Sequence, residues 1–561
     1  MNVAEAIAQA VVAEGAKLAA GITGQSVGHI ADALSMNPNM TMIYVRQERV
    51  AVDICDGYAR VTGNPGIVFT DAGPAATNLL GGWVNSWGDS TPVLFFAGHN
   101  NRYSSPRRQT KEIPLADVFG PVSKWVAMIN DPSQVAEVIR RAYVKLRSGR
   151  PGPVVIGVPY DVTSMPIENF VYAPVSSRPQ IRSGGDPAAI AAAIDMLANA
   201  KKPYVYVGAG VLGSKASADL VELAELLTLP VATTLNGKSA FPENHALSLG
   251  IGGFSRALYS SLQATIIAAN ADVVLTVGAG FKQHATTAAL PTGAKHIQVD
   301  VDADELHKEQ IADVGICGDA SVVLRQLIDA ARARCGKERL APVKARIEEL
   351  AGLRTRWDEI SAPMLNSEAT PINPFRVTYE LTQALDPDES IVLHDAGSVR
   401  GSTCQHYIAT KPRSFLGFGV QSAMGWSIGA AIGAKSAEPT KTVVSVIGEE
   451  AFAETAIDIE TAIRSGVAVL LVVKNNRAIP ATDAGISPNL AKNRFKGDGV
   501  IPSAVAKALG AKSARIDDPA KLRDALKTAI AEVKGGSFYV LEVITGRAPG
   551  SLHAKWEGAK K

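Results

Sequence analysis

The run Thr442-Val-Val-Ser-Val-Ile-Gly448-Glu449-Glu450 is an apolar, β-branched stretch that ends in a glycine and two carboxylates. A second apolar run, Val469-Leu-Leu-Val-Val473, ends in Lys474-Asn475-Asn476. In a parallel sheet, ligands bind beyond the carboxyl ends of strands, so both ends would present oxygen-bearing groups at one edge. A carboxylate, a side-chain amide and nearby backbone carbonyls make a hard-oxygen set suited to magnesium bridging to a diphosphate. The residues after Gly448 open a helix, whose first amides can receive phosphate oxygens. A Gly-acid turn and an Asn-Asn pair also occur as plain turns. The residues alone leave a metal–phosphate site and a simple turn both open.

Other segments bring reactive side chains to strand ends. Met42-Ile-Tyr-Val45 reads as a short strand that delivers Arg46-Gln47-Glu48 into a helix running through Asp53, Gly57, Tyr58, Ala59 and Arg60. A carboxylate at such a junction also serves as a solvated cap. Asp71-Ala-Gly73-Pro74-Ala-Ala-Thr77-Asn78 follows a strand and opens a helix, as a plain helix start does too. Gln421-Ser-Ala-Met424-Gly425 runs into a Gly/Ala-rich helix, where a methionine also fills core. The loop Asn100–Gln109 carries Arg102, Arg107 and Arg108, which either grip a carboxylate in bidentate fashion or stay solvated.

The elements that must position these groups follow one rhythm. Gly66-Ile-Val-Phe-Thr70, Val93-Leu-Phe-Phe-Ala97 and Tyr204-Val-Tyr-Val207 read as buried strands separated by longer stretches of helical period. Strand–helix alternation predicts parallel sheets covered on both faces, an α/β fold. Pro/Gly/Ser-rich stretches near Ala173–Asp186 and around Ser361–Pro374 read as linkers. They divide the chain into residues 1–172, 187–342 and 370–546, each a doubly wound parallel sheet by pattern. In the middle block, Gly208-Ala-Gly210-Val-Leu-Gly213 follows a strand as Gly-x-Gly-x-x-Gly. A dinucleotide fingerprint also needs an acid at the end of the next strand. Leu229–Thr234 supplies none, while Asp300 and Asp302 keep a ribose contact open.

Composition narrows the partners. Of 561 residues, 47% are hydrophobic and 20% charged, enough for several ordinary cores, and the net charge of +2 gives no support for nucleic acid or an anionic membrane. No apolar run is long and charge-free enough to span a bilayer. The stretch Met1–Gly21 holds Glu5, Glu14 and Lys17 and reads as an amphipathic helix, not a secretory signal. Cys55, Cys317, Cys335 and Cys404 are too scattered for a disulfide framework or a zinc site. The expected location is the cytoplasm.

Taken in order, these segments resemble the motifs of the thiamine diphosphate enzymes, and of their acetolactate synthase-like members in particular. Gly448-Glu449-Glu450 and Asn475-Asn476 are similar to the family's Gly-Asp-Gly and Asn-Asn, with Glu-Glu replacing Asp-Gly. Arg46-Gln47-Glu48 with Gly57-Tyr58-Ala59-Arg60 resembles Arg-His-Glu…Gly-Tyr-Ala-Arg, with Gln47 in place of histidine. Asp71–Asn78 resembles Ser-Gly-Pro-Gly-x-Thr-Asn, and Phe241–Gly250 resembles a middle-domain segment. Lys111-Glu112 and Pro121–Trp125 match the order in acetolactate synthase-like members, where Lys111 stands in place of a glutamine.

The resemblance implies a pyrimidine-binding, a middle and a diphosphate-binding domain, with Glu48 as the catalytic glutamate. In the family this carboxyl hydrogen-bonds the pyrimidine nitrogen of the cofactor and promotes the tautomer that removes the thiazolium C2 proton. A carboxyl in an apolar cleft has its proton affinity raised, which suits that task. The resemblance further implies that Glu449, the Asn476 side chain and the Ala478 carbonyl hold Mg2+ or another divalent metal. Gly24, Gly73, Asn78, Gly397, Ser398, Gly448, Glu450, Ala451 and Ile479 would line the cofactor, with Met424 as the apolar platform beneath it. Gln25, Lys111 and Glu112 would face the substrate. FAD is not expected, because the Asp-Asp-Arg of flavin-binding members is missing from Val277–His284. A homodimer or homotetramer with active sites at the subunit interface is implied.

The expected substrate is a 2-keto acid or 2-hydroxy ketone (an acyloin). Arg477-Ala-Ile-Pro480 stands where the biosynthetic acetolactate synthases carry a tryptophan, so the branched-chain enzyme itself is not expected. The alternatives are a 2-hydroxyacyl-CoA lyase or oxalyl-CoA decarboxylase-like enzyme acting on an acyl-CoA, and a cyclic-diketone-cleaving enzyme. A non-catalytic cofactor-binding partner protein is the alternative from another class.

Overall fold

A computed structural model of the chain describes residues 1–547, apart from 105–106, 108, 179, 254–258, 282–289, 292, 337–339 and 478–498. The predicted alternation folds into three six-stranded sheets, every pairing within them parallel. The first sheet holds β1 (Leu18–Gly21), β2 (Thr41–Tyr44), β3 (Gly66–Thr70), β4 (Val93–His99), β5 (Trp125–Met128) and β6 (Val154–Pro159), in the order β2-β1-β3-β4-β6-β5. The second holds β7 (Pro203–Val207), β8 (Val231–Thr233), β9 (Ser248–Ile251), β10 (Val273–Val277), β11 (Lys295–Asp300) and β12 (Val314–Cys317), ordered β12-β11-β10-β7-β8-β9. The third holds β13 (Ser390–His394), β14 (Phe415–Leu416), β15 (Thr442–Gly448), β16 (Leu470–Asn475), β17 (Lys512–Ile516) and β18 (Tyr539–Ile544), ordered β14-β13-β15-β16-β18-β17.

The central strands β3, β6, β7, β10, β13 and β16 are buried along their whole length, as strands covered on both faces must be. Strand order then dictates where ligands can enter. A doubly wound sheet opens a crevice where the direction of winding reverses. The first and third sheets have the same order, so their switch points fall between β1 and β3 and between β13 and β15. In the second sheet it falls between β7 and β10.

The first and third domains share one hydrophobic core. Its centre is the helix Glu48–Thr62, which lies against the helix Trp426–Ala437. Small residues let the two backbones touch. A Cβ on Gly433 would come within 1.9 Å of the Ile54 carbonyl oxygen, and one on Gly57 within 2.2 Å of the Ala430 carbonyl oxygen. The Gly-Tyr-Ala-Arg part of the first-domain motif is therefore largely packing. Arg60 ties the crossing together through Asp56, Asp89 and the Gly417 carbonyl. Arg413 donates to the carbonyls of Arg60 and Leu212 and so joins all three domains. Among the described residues no helix is long and apolar enough to cross a membrane.

Candidate active site

At the carboxyl ends of β15 and β16, next to the β13/β15 switch point, the metal-binding candidates come together. Gly448 pairs in register with Lys474, so Glu449 and the Asn475-Asn476 pair emerge side by side from neighbouring strands. The two asparagines differ in their environment. Asn475 is buried and its Nδ2 donates to Glu542 Oε1 at 2.8 Å, locking β16 to β18. Asn476 is half-buried beyond the strand end. Glu449 is buried at the start of the helix Glu449–Thr455, while Glu450 is exposed and Ala451 is buried behind it. Ala478 and Ile479 lie outside the described residues.

The donor set suits a divalent metal with a diphosphate: one carboxylate and one amide at adjoining strand ends, with open space across the crevice. Gly397 adopts φ +81°, a left-handed turn, with no atom within 4 Å of where a Cβ would sit, and Gly397 and Ser398 are both exposed. Asp395, two residues earlier, has a different task. It is fully buried and accepts from the N–H groups of Ala396 (2.7 Å), Gly425 (3.0 Å) and Ser427 (2.8 Å). Burial raises its pKa, and those hydrogen bonds work against the rise.

Asp395 thereby fixes the loop that carries Met424. Gly425, at φ +80°, leaves no room for a side chain against Thr455, and it turns the chain into the following helix. Met424 itself precedes that helix and is 40% exposed. It is not core filler, and its place on the open face suits an apolar platform. Arg49 donates to the Met424 carbonyl and pairs with Glu454 at 3.0 Å.

Glu48 is the first residue of its helix and is half-buried. Asn78 Nδ2 donates to Glu48 Oε2 at 3.1 Å, which brings the two first-domain motifs together. Among the described residues Glu48 takes part in no salt bridge, so its carboxyl is not committed to an ion pair. Gln47 caps the helix without a side-chain bond.

The β1/β3 switch point gathers Gly24, Ser26, Asp71, Gly73 and Lys111. Lys111 Nζ donates to Asp71 Oδ2 at 2.6 Å. Gln25 is exposed beside them, and Glu112 is half-buried and accepts from the Gln109 N–H through its Oε2 at 2.8 Å. Arg102 is no substrate clamp: it is tied to Asp161 and to the Asn130 carbonyl.

The sequence left a ribose contact at Asp300 open but did not reveal the arginines around the cavity there, which measures about 410 Å³ and lies between the middle domain and its neighbours. It opens at the β7/β10 switch point, where a Cβ on Gly208 would come within 2.1 Å of the Gly278 carbonyl oxygen. Asp300 lies in its wall, as do Arg147, Arg150 and Arg182. Those arginines come from the first domain and a linker, so no local motif announces them.

Comparison with known proteins identifies three domains along the chain. Residues 1–118 match the thiamine pyrophosphate enzyme N-terminal TPP binding domain, residues 190–327 the central domain, and residues 395–543 the C-terminal TPP binding domain. The chain is 32% identical to a probable acetolactate synthase large subunit of Methanocaldococcus jannaschii, covering 97% of this chain and 92% of that protein. It is 28% identical to the acetolactate synthase isozyme 3 large subunit of Escherichia coli K12, covering 96% and 94%. It is also 28% identical to a glyoxylate carboligase of Escherichia coli O157:H7, covering 92% and 88%. The chain belongs to the thiamine pyrophosphate enzymes, as an acetolactate synthase-like member that forms or cleaves carbon–carbon bonds with that cofactor.

Proposed function

We propose that the chain, with thiamine diphosphate and a divalent metal, acts on a 2-keto acid or 2-hydroxy ketone, and that it is not the branched-chain biosynthetic enzyme. The observation that carries the cofactor chemistry is the half-buried Glu48 carboxyl, held by Asn78 and free of ion pairs among the described residues, while the exclusion of the biosynthetic enzyme rests on Arg477-Ala-Ile-Pro480 standing where those enzymes carry a tryptophan. When bound, the cofactor supplies a thiazolium carbon that serves as nucleophile and electron sink. Glu48 holds and returns a proton at its Oε atoms, and Asn78 orients that carboxyl. Glu449 and Asn476 would hold the metal, Mg2+ or another divalent ion, and the turn Gly397–Ser398 with the first amides after Gly448 would take the diphosphate. Met424 gives the cofactor an apolar floor.

Asn78, Ser398 and Met424 are exposed in one chain. A second copy would cover them, which supports a homodimer or homotetramer with sites at the subunit interface.

A second reading is favoured by the middle-domain cavity. A cleft of about 410 Å³ at glycine-rich strand ends, with Asp300 in its wall, suits the nucleotide end of an acyl-CoA, while Arg147, Arg150 and Arg182 around it are paired with Glu14, Glu305 and Asp319. One experiment separates the readings. Holoenzyme is offered 2-keto acids, acyloins and 2-hydroxyacyl-CoA thioesters, and products are analysed alongside proton–deuterium exchange at cofactor C2. Fast exchange with turnover of free keto acids or acyloins supports the first reading, and turnover of thioesters alone supports the second. Absence of exchange refutes both. A visible spectrum of the purified protein checks the expected lack of flavin.

A further inference from the structure

One ion pair holds three loops of the first domain together at the β1/β3 switch point. Ser26 donates to Asp71 Oδ1 from its backbone N–H at 3.0 Å and from its hydroxyl, and its Oγ accepts the Ala72 N–H at 3.0 Å. The other carboxylate oxygen of Asp71 accepts from Lys111. The loops are pressed close: a Cβ on Gly24 would come within 2.4 Å of Asp71 Cγ, and one on Gly73 within 2.7 Å of Lys111 Cα. Lys111 itself is held at φ +67°, a left-handed conformation that a lysine keeps only where its surroundings over-determine it.

The pair is asymmetric. The Asp71 side chain is 13% exposed and that of Lys111 is 45% exposed. Burial alone would raise the pKa of Asp71, but the hydrogen bonds from Lys111 and Ser26 outweigh it and hold the carboxyl at about 2. Asp71 is thus an anion fixed on the protein side. Lys111 has three ammonium donors and spends one on Asp71, on a side chain that stays partly exposed. A fixed cation with spare donors at a strand-end crevice fits a carboxylate.

We propose that Lys111 is the specificity-determining cation that takes the carboxylate of a 2-keto acid substrate, and that Asp71 is the positioning residue that aims it. This rests on the cofactor reading given above.

The probes are pyruvate and glyoxylate, each compared with its uncharged methyl ester. Binding to the holoenzyme is followed by ligand-observed NMR, and KM and kcat are followed wherever a probe turns over. The expected result is preference for the acid over the ester in the wild type. Lys111→Gln should weaken acid binding by about tenfold or more while moving the ester far less, the loss of one charge-assisted contact. Lys111→Arg, which keeps the charge, should restore much of the preference. Asp71→Asn keeps an acceptor for Ser26 but releases Lys111, and should erode the same preference without abolishing folding. Equal binding of acid and ester by the wild type, or an unchanged preference in Lys111→Gln, overturns the proposal and leaves Asp71–Lys111 a structural ion pair. Proton–deuterium exchange at cofactor C2 needs no substrate. Wild-type protein that exchanges without an acid preference therefore refutes this inference alone, and wild-type protein that does not exchange refutes the cofactor reading.

Discussion

Asn78 donates its side-chain amide to the Glu48 carboxylate at 3.1 Å, linking segments that follow β2 and β3, two strands separated in the sheet by β1. The contact joins the helix start that follows β2 to the C-terminal cap of the short helix Pro74–Thr77 that follows β3. An amide donor orients a carboxyl without neutralising it, which a lysine or arginine in the same place would do.

Replacing Glu48 by Gln keeps the shape and the contact with Asn78 but removes the exchangeable proton. Turnover and C2 exchange should fall by about 10²–10⁴-fold, the usual contribution of a positioned acid–base group. Thermal unfolding should move little, because Glu48 lies at a cleft and not in a core. Near wild-type exchange in this variant would remove Glu48 from the mechanism.

The helix crossing that unites the first and third domains should be intolerant of a single methyl group. Gly433→Ala forces a Cβ onto the Ile54 carbonyl and should destabilise the protein by about 1–3 kcal/mol or more. Gly352 lies inside the helix Lys344–Leu365 with open space around it, and Gly352→Ala should stabilise by about 0.5–1 kcal/mol. Urea unfolding of the two variants measures the contrast, and similar midpoints would contradict the described packing.

Asp53, on the same crossing, should make stability depend on pH. Burial pushes its carboxyl from 3.8 up to about 8, and Arg49, at 3.6 Å, only partly opposes the rise. The folded state then keeps a proton that the unfolded chain releases, so this group's contribution to stability falls as pH rises from about 4 to about 8. Asp53→Asn should lose that decline. The check is the difference in unfolding midpoint between wild type and variant across this range, and a flat difference would mean that Asp53 is ionised in the fold.

Glu449 and Glu450 should have unequal effects on cofactor binding. Glu449 is buried at the strand end, and its arm is one methylene longer than aspartate, while magnesium requires near-octahedral oxygens at about 2.0–2.1 Å. Glu449→Asp should therefore sharpen the preference for Mg2+ over Ca2+ and Mn2+ and tighten thiamine diphosphate binding. Glu450 is exposed, so Glu450→Gly should add little. Calorimetric titration of cofactor and metals into apoprotein tests this, and the reverse ranking of the two variants would show that the Glu450 side chain reaches the diphosphate.

Short-range features of this chain were legible without coordinates. Strand–helix alternation, the Gly-Glu-Glu and Asn-Asn strand ends and the Glu48 helix start are set by a few consecutive residues, and periodicity and turn chemistry act over that range. Strand order, helix crossing and the choice among equivalent groups depend on contacts hundreds of residues apart. Only the tertiary structure made Asp395 a buried cap for the Met424 loop, and Asn475 a lock while Asn476 emerges. It likewise lifted Met424 out of the core and turned Gly57 and Gly433 into a backbone contact. Lys111 was readable as an odd residue at a loop, but its meaning came from Asp71, which the winding of the first sheet brings to the same crevice. The arginines of the middle-domain cavity had no local pattern to betray them, because a cavity between domains is defined by how separately folded surfaces meet.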